Sequence, residues 1–158
     1  MTTKPISQHA TCIRLDGRGV LLRGPSGSGK SDLAWRLMQP PFSAELVADD
    51  QTRVVKRKGA LYASCPEPLQ GLLEMRGLGL ISLPFLAEVP LHLVVELAPR
   101  DDVPRMPEPT FAALCGRELP SIALHAFDLT APDKVRLAAN LIAERGFPDE
   151  DGIIGRLN

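Results

Sequence analysis

Short apolar runs punctuated by turn residues dominate the first half of the chain. Thr11 to Leu15 is partly apolar, Asp16-Gly17-Arg18-Gly19 has turn chemistry, and Val20-Leu21-Leu22-Arg23 reads as a strand, so the pattern predicts a β-hairpin. A glycine-rich segment follows. Ser31 to Met38 then has helix-forming composition with apolar residues at Leu33, Trp35 and Leu37, and Pro40-Pro41 ends it. Glu45 to Asp50 is a short apolar run closing on two carboxylates, and Arg53-Val54-Val55 and Leu61-Tyr62 flank a Lys/Arg/Gly turn, which predicts more strand.

The second half is less regular. Leu72 to Ser82 mixes a glutamate, an arginine and glycines into an apolar stretch, a pattern expected of a shaped loop. Leu91 to Leu97 is the clearest later strand. Pro99 to Pro120, rich in proline and charge, is expected to be an irregular surface excursion. Ala131 to Glu144 places Val135, Leu137, Ala138, Leu141 and Ile142 on one helical face, with Thr130 or Asp133 near its start and Gly146 past its end.

Composition narrows the class. A chain of 158 residues, 44% hydrophobic and 23% charged, is expected to form one globular domain spanning 1–158. With 18 Lys and Arg against 19 Asp and Glu, the net charge of -1 argues against a general nucleic-acid binder, so phosphate recognition has to be local. No stretch has the apolar length of a signal peptide or membrane span, and the expected compartment is the cytoplasm. Cys12, Cys65 and Cys115 are far apart and odd in number, which suggests buried thiols rather than a disulfide framework.

The strongest chemical signal is Gly24-Pro25-Ser26-Gly27-Ser28-Gly29-Lys30-Ser31, a full Gly-x-x-x-x-Gly-Lys-Ser match between an expected strand and an expected helix. Glycines at 24, 27 and 29 let successive backbone N–H groups converge on phosphate oxygens at the positive end of the helix. Lys30 can reach the β- and γ-phosphates of ATP, and the Ser31 hydroxyl can hold Mg²⁺. Asp49 and Asp50 close an apolar strand, where P-loop enzymes place a carboxylate beside the metal. Adjacent strand residues face opposite ways, so both serve one site only if the strand ends there. One carboxylate could then position Mg²⁺ or its water while the other accepts a proton from an attacking hydroxyl.

At these residues the chain resembles the catalytic domain of HPr kinase/phosphorylase, a family that phosphorylates a serine of the phosphocarrier protein HPr. The resemblance is carried by His9, by the loop Gly24 to Ser31, by Leu46-Val47-Ala48-Asp49-Asp50, and by Leu73-Glu74-Met75-Arg76-Gly77-Leu78-Gly79-Leu80-Ile81. It is firm from about His9 to Ser82. It implies that Asp50 takes the serine proton in the kinase direction and returns it in reverse, and that Lys30 stabilises the transferred phosphoryl group. Ser31 and Glu74, with Asp49, would position Mg²⁺, and His9 would help orient phosphate or the attacking group. An arginine that reaches a phosphate in the family corresponds loosely to Arg105, with Arg100 competing. The resemblance also implies a homo-oligomer, specifically a hexamer.

Two departures stand out. The match to the kinase core begins near the start of the sequence, and the resemblance implies a form like the short proteobacterial versions lacking the N-terminal domain. The family's Pro-x-x-Pro-Gly-Arg-Asn-like loop, used in dephosphorylation, corresponds here to Ala123 to Thr130, which lacks that pattern. The expectation is therefore an α/β P-loop kinase domain of the HPr kinase catalytic type, a mixed β-sheet with flanking helices, using ATP and Mg²⁺ on HPr or a paralogue. A P-loop small-molecule kinase and a non-catalytic ATP-binding regulatory module are the alternatives, and pyrophosphate in place of ATP is left open.

Overall fold

A computed structural model describes residues 2–154. Strand β1 (Ile6–Leu15) and β2 (Arg18–Arg23) form the expected hairpin around Asp16 and Gly17, both at positive φ. β1 starts earlier than its apolar pattern suggests because Ile6 to His9 pairs with β4 (Gln51–Arg57). His9 thus lies within the strand rather than ahead of it. Helix α1 (Lys30–Met38) follows the glycine loop, and β3 (Glu45–Ala48) runs back antiparallel to β1.

The remaining strands are β5 (Ala60–Ser64), β6 (Leu72–Met75), β7 (Gly79–Ser82), β8 (Glu88–Leu97), β9 (Phe111–Leu114) and β10 (Arg117–Leu124). Two expectations need correction here. Leu72 to Ser82 is not a loop but the antiparallel hairpin β6–β7, since its polar residues face solvent and the cleft while Leu73 is fully buried. Within Pro99 to Pro120, the irregular stretch ends near Thr110, and Phe111 to Leu114 pairs with Arg117 to Pro120 across a Cys115-Gly116 turn. The alternating burial of Ala112 and Leu114 was the strand signal, masked by neighbouring prolines and charges.

One part of the eight-stranded sheet positions the site. There β2 pairs in parallel with β8, and β8 in parallel with β10, while β1 is antiparallel to both β2 and β3. The spatial order is β3–β1–β2–β8–β10, and every strand but β1 points the same way. The C-terminal ends of β3, β2 and β10 therefore open on one edge. In open α/β sheets this is the edge where ligands collect.

The sheet is apolar on both faces, which explains the uninterrupted Val20-Leu21-Leu22 run. Val20 and Leu22 pack with Leu33 and Leu37 of α1 and with Val135, Ala139 and Ile142 of the C-terminal helix. Leu21 faces the other way, toward Val47, Val54, Val89 and Val94. The C-terminal helix begins as α2 (Ala131–Leu137), widens to a π turn at Ala138–Ile142 and finishes as α3 (Ala143–Arg145), close to the expected span. Its widened turn carries Asn140, whose side chain donates to Asp16 (2.9 Å) and accepts from Arg18 (2.7 Å), tying helix to hairpin. Cys12 and Cys65 are buried and Cys115 is half-buried. Among the described residues no helix is long and apolar enough to cross a membrane.

Candidate active site

The loop after β2 needs its glycines for conformation and for space. Gly27 and Gly29 have φ of 82° and 98°, a region that costs other residues strain. A Cβ on Gly29 would also lie 2.7 Å from that of Ala126. With Gly29 left-handed, α1 starts at Lys30, and Leu33 N–H closes its first turn on Gly29 O at 2.9 Å. The Ser28 hydroxyl is buried with no hydrogen-bond partner, an unmet polar group inside the loop.

Lys30 folds back over this loop. Its Nζ donates to Gly24 O (2.7 Å) and Pro25 O (3.1 Å), and the residue is buried. Burial pulls its pKa below the ordinary lysine value, while the negative charges of Asp50 and Asp49 oppose that shift.

The two aspartates do serve one cleft. β3 ends at Ala48, and Asp50 adopts φ 66°, a left-handed turn that brings consecutive carboxylates to the same cavity. Asp49 is buried and accepts three hydrogen bonds: Oδ1 accepts from Ser31 Oγ (2.7 Å) and Thr11 Oγ1 (2.8 Å), and Oδ2 from Glu74 N–H (3.1 Å). Asp50 is exposed, and its Oδ1 lies 2.8 Å from His9 Nε2. One aspartate is thus fixed on the Ser31 side, the other free to meet a reactant.

These groups surround an open cleft of about 310 Å³, lined also by Ser26, Asp32, Glu74, Met75, Arg76 and Phe127. Its donor set fits Mg²⁺: a hydroxyl and a buried carboxylate already share a hydrogen bond at Ser31 and Asp49, and Glu74, whose N–H donates to Asp49, lines the same cleft. Among the described residues no three His, Cys, Asp or Glu side chains form a ready-made metal cage.

Of the residues singled out from sequence, His9, Ser26, Gly27, Gly29, Lys30, Ser31, Asp49, Asp50 and Glu74 come together at this cleft, while Gly24, Pro25 and Ser28 of the same loop do not line it. Arg105 does not: it is exposed in the irregular stretch before β9. Arg100 is engaged by Asp128 at 2.6 Å. The arginine lining the cleft is Arg76, whose guanidinium stands 4.0 Å from where a Gly27 Cβ would be. Arg76 belongs to the motif that carries the resemblance, whereas Thr11 and Phe127 were missed. Thr11 had a signal, as a polar residue at an inward position of β1, whereas Phe127 sits in a turn without periodicity.

Fold and cleft together define an α/β domain with a glycine-rich loop between strand and helix and a paired hydroxyl and carboxylate beside it. Comparison with known proteins narrows this class. Residues 2–102 match the family model for the HPr Serine kinase C-terminal domain. The chain is 33% identical over 131 residues to the HPr kinase/phosphorylase of Leptothrix cholodnii, covering 75% of this chain and 40% of that protein. It is 42% identical over 76 residues to the enzyme of the same name from Bordetella pertussis, covering 48% of this chain and 24% of the relative. The solved Hpr(Ser) kinase/phosphatase of Coxiella burnetii superposes with a TM-score of 0.76 at 23% identity, over 85% of this chain and 88% of that one. The chain belongs to the HPr serine kinase C-terminal domain family. It spans less than half the length of these curated relatives.

Proposed function

We propose that this chain is an ATP- and Mg²⁺-dependent protein kinase that phosphorylates a serine of HPr or an HPr paralogue, working in the cytoplasm. The observation that carries this reading is the division of labour between the aspartates. Asp49 is buried and hydrogen-bonded to Ser31, while Asp50 stands exposed in the same cleft. Such an open cleft admits a serine on a protein surface, and an enclosed small-molecule pocket is not needed.

In this reaction the serine Oγ forms a bond to the γ-phosphorus as the bond from that phosphorus to the ADP oxygen breaks. The serine proton passes to the Asp50 carboxylate. His9 at 2.8 Å holds that carboxylate in place. Lys30, released from the carbonyls of Gly24 and Pro25, carries its charge to the transferred phosphoryl group, joined by the loop N–H groups. Ser31, Asp49 and Glu74 would hold Mg²⁺, which offsets charge on the phosphates. In reverse, protonated Asp50 returns its proton to the serine oxygen as inorganic phosphate takes up the phosphoryl group.

Purified protein incubated with ATP, Mg²⁺ and HPr should yield an acid-stable phosphoserine, and phosphorylated HPr with inorganic phosphate tests the reverse direction. Absence of transfer to every cognate HPr rejects the assignment.

A further inference from the structure

The cleft has one wall that phosphate chemistry does not use. Phe127 lines it, half exposed, on the turn that follows β10. An exposed aromatic ring on a loop is ordinary unless something holds it in place. Here several contacts do.

Arg36 of α1 donates through its guanidinium to the carbonyls of Ala126 and Asp128, on either side of the ring. The Asp128 carboxylate is bound by Arg100 at 2.6 Å, with Lys134 at 3.8 Å. His125 Nδ1 lies 3.0 Å from Ala98 O, and its ring meets Phe127 edge-on at 5.8 Å. Phe127 also rests on the phosphate loop itself, since a Cβ at Gly29 would come within 3.0 Å of its Cζ.

Strand order sets the polarity of the site. Asp49 and Asp50 follow β3, two strands from the loop strand β2 on one side, and Phe127 follows β10, two strands away on the other. A triphosphate whose terminal phosphorus faces Asp50 therefore runs along the loop toward Phe127. We infer that the Phe127 ring is the stacking platform for the planar base of the nucleotide, and so selects a nucleoside triphosphate over a base-free polyphosphate as donor. This rests on reading Gly24 to Ser31 as a triphosphate cradle.

Calorimetric titration with Mg²⁺ and either ATP or inorganic tripolyphosphate tests it. Stacking on an aromatic side chain is lost on alanine substitution with a penalty of about five-fold to a hundred-fold in affinity. Phe127→Ala should weaken ATP within that range and leave tripolyphosphate within about two-fold, and Phe127→Trp should restore ATP. Equal weakening of both ligands would mean that the ring only shapes the loop, and unchanged ATP affinity would mean no contact; either overturns the inference. Wild-type protein that binds tripolyphosphate no more weakly than ATP also overturns it, while leaving the cradle intact. Wild-type protein that binds neither removes the cradle, and this inference with it.

Discussion

His9 Nε2 and Asp50 Oδ1 are 2.8 Å apart, joining the first half of β1 to the turn after β3. Both side chains are more than half exposed, so the contact adds little stability and serves to orient the carboxylate. Asp50→Asn keeps the shape and one acceptor oxygen but cannot take a proton. Nucleotide affinity should stay within a few-fold, while phosphotransfer falls by about a hundred-fold or more. Calorimetry and a phosphoserine assay measure the two separately. Near-normal turnover in this variant rejects Asp50 as the base.

Asp49 should behave differently, because its donors are part of the fold. Asp49→Ala strands Thr11, Ser31 and the Glu74 amide together, and loss of such partners costs about 1–3 kcal/mol for each buried group left unmet. Asp49→Asn retains an acceptor for the two hydroxyls but loses the charge. Chemical denaturation should therefore rank wild type above Asn and Asn above Ala. The Asn variant should need a higher Mg²⁺ concentration for half-maximal transfer. An unchanged Mg²⁺ requirement removes Asp49 from the metal site.

A third expectation concerns the sheet alone. A Cβ on Gly19 would fall 2.2 Å from Pro90 O, where β2 and β8 approach at a register shift. Gly19→Ala must push two paired strands apart, and overpacking of this kind costs about 1–3 kcal/mol. The midpoint of thermal unfolding should drop while Mg²⁺-dependent nucleotide binding per folded molecule is retained. A wild-type midpoint would show that the strands yield freely there.

What could be read from the sequence divides along physical lines. The phosphate loop, α1, the β1–β2 hairpin and the Asp49-Asp50 pair were legible because local pattern and required chemistry coincide at those residues. The β6–β7 hairpin was not, since Glu74, Arg76 and Gly77 break the alternation that a strand bearing no functional groups would show. The β9 strand was hidden for the opposite reason, lying beside prolines that mark the irregular stretch before it. Phe127 reaches the cleft through tertiary placement, from a turn two strands from the loop. No spacing in the chain encodes that proximity. Asp50 shows the limit most directly: strand geometry separates consecutive side chains, and only its left-handed φ brings it round to the cleft with Asp49.

His92 on β8 supplies a pH test remote from the cleft. Its Nδ1 accepts the Gly19 N–H at 3.3 Å, and a backbone N–H can only donate, so the folded state requires Nδ1 unprotonated. Burial lowers the pKa of His92 below its ordinary value, and the positive charges of Arg18 and Arg117 push the same way against the opposing Pro90 carbonyl. Below about pH 6.5 the unfolded chain therefore binds more protons at this residue than the native one. Its contribution to stability is present above that pH and is lost as the pH falls through the lower folded value. His92→Gln can still offer an acceptor to Gly19 but does not titrate. Urea unfolding at pH 8 and pH 5.5 should show a smaller acid loss in His92→Gln than in wild type. Equal losses in the two proteins would assign the acid sensitivity to other groups.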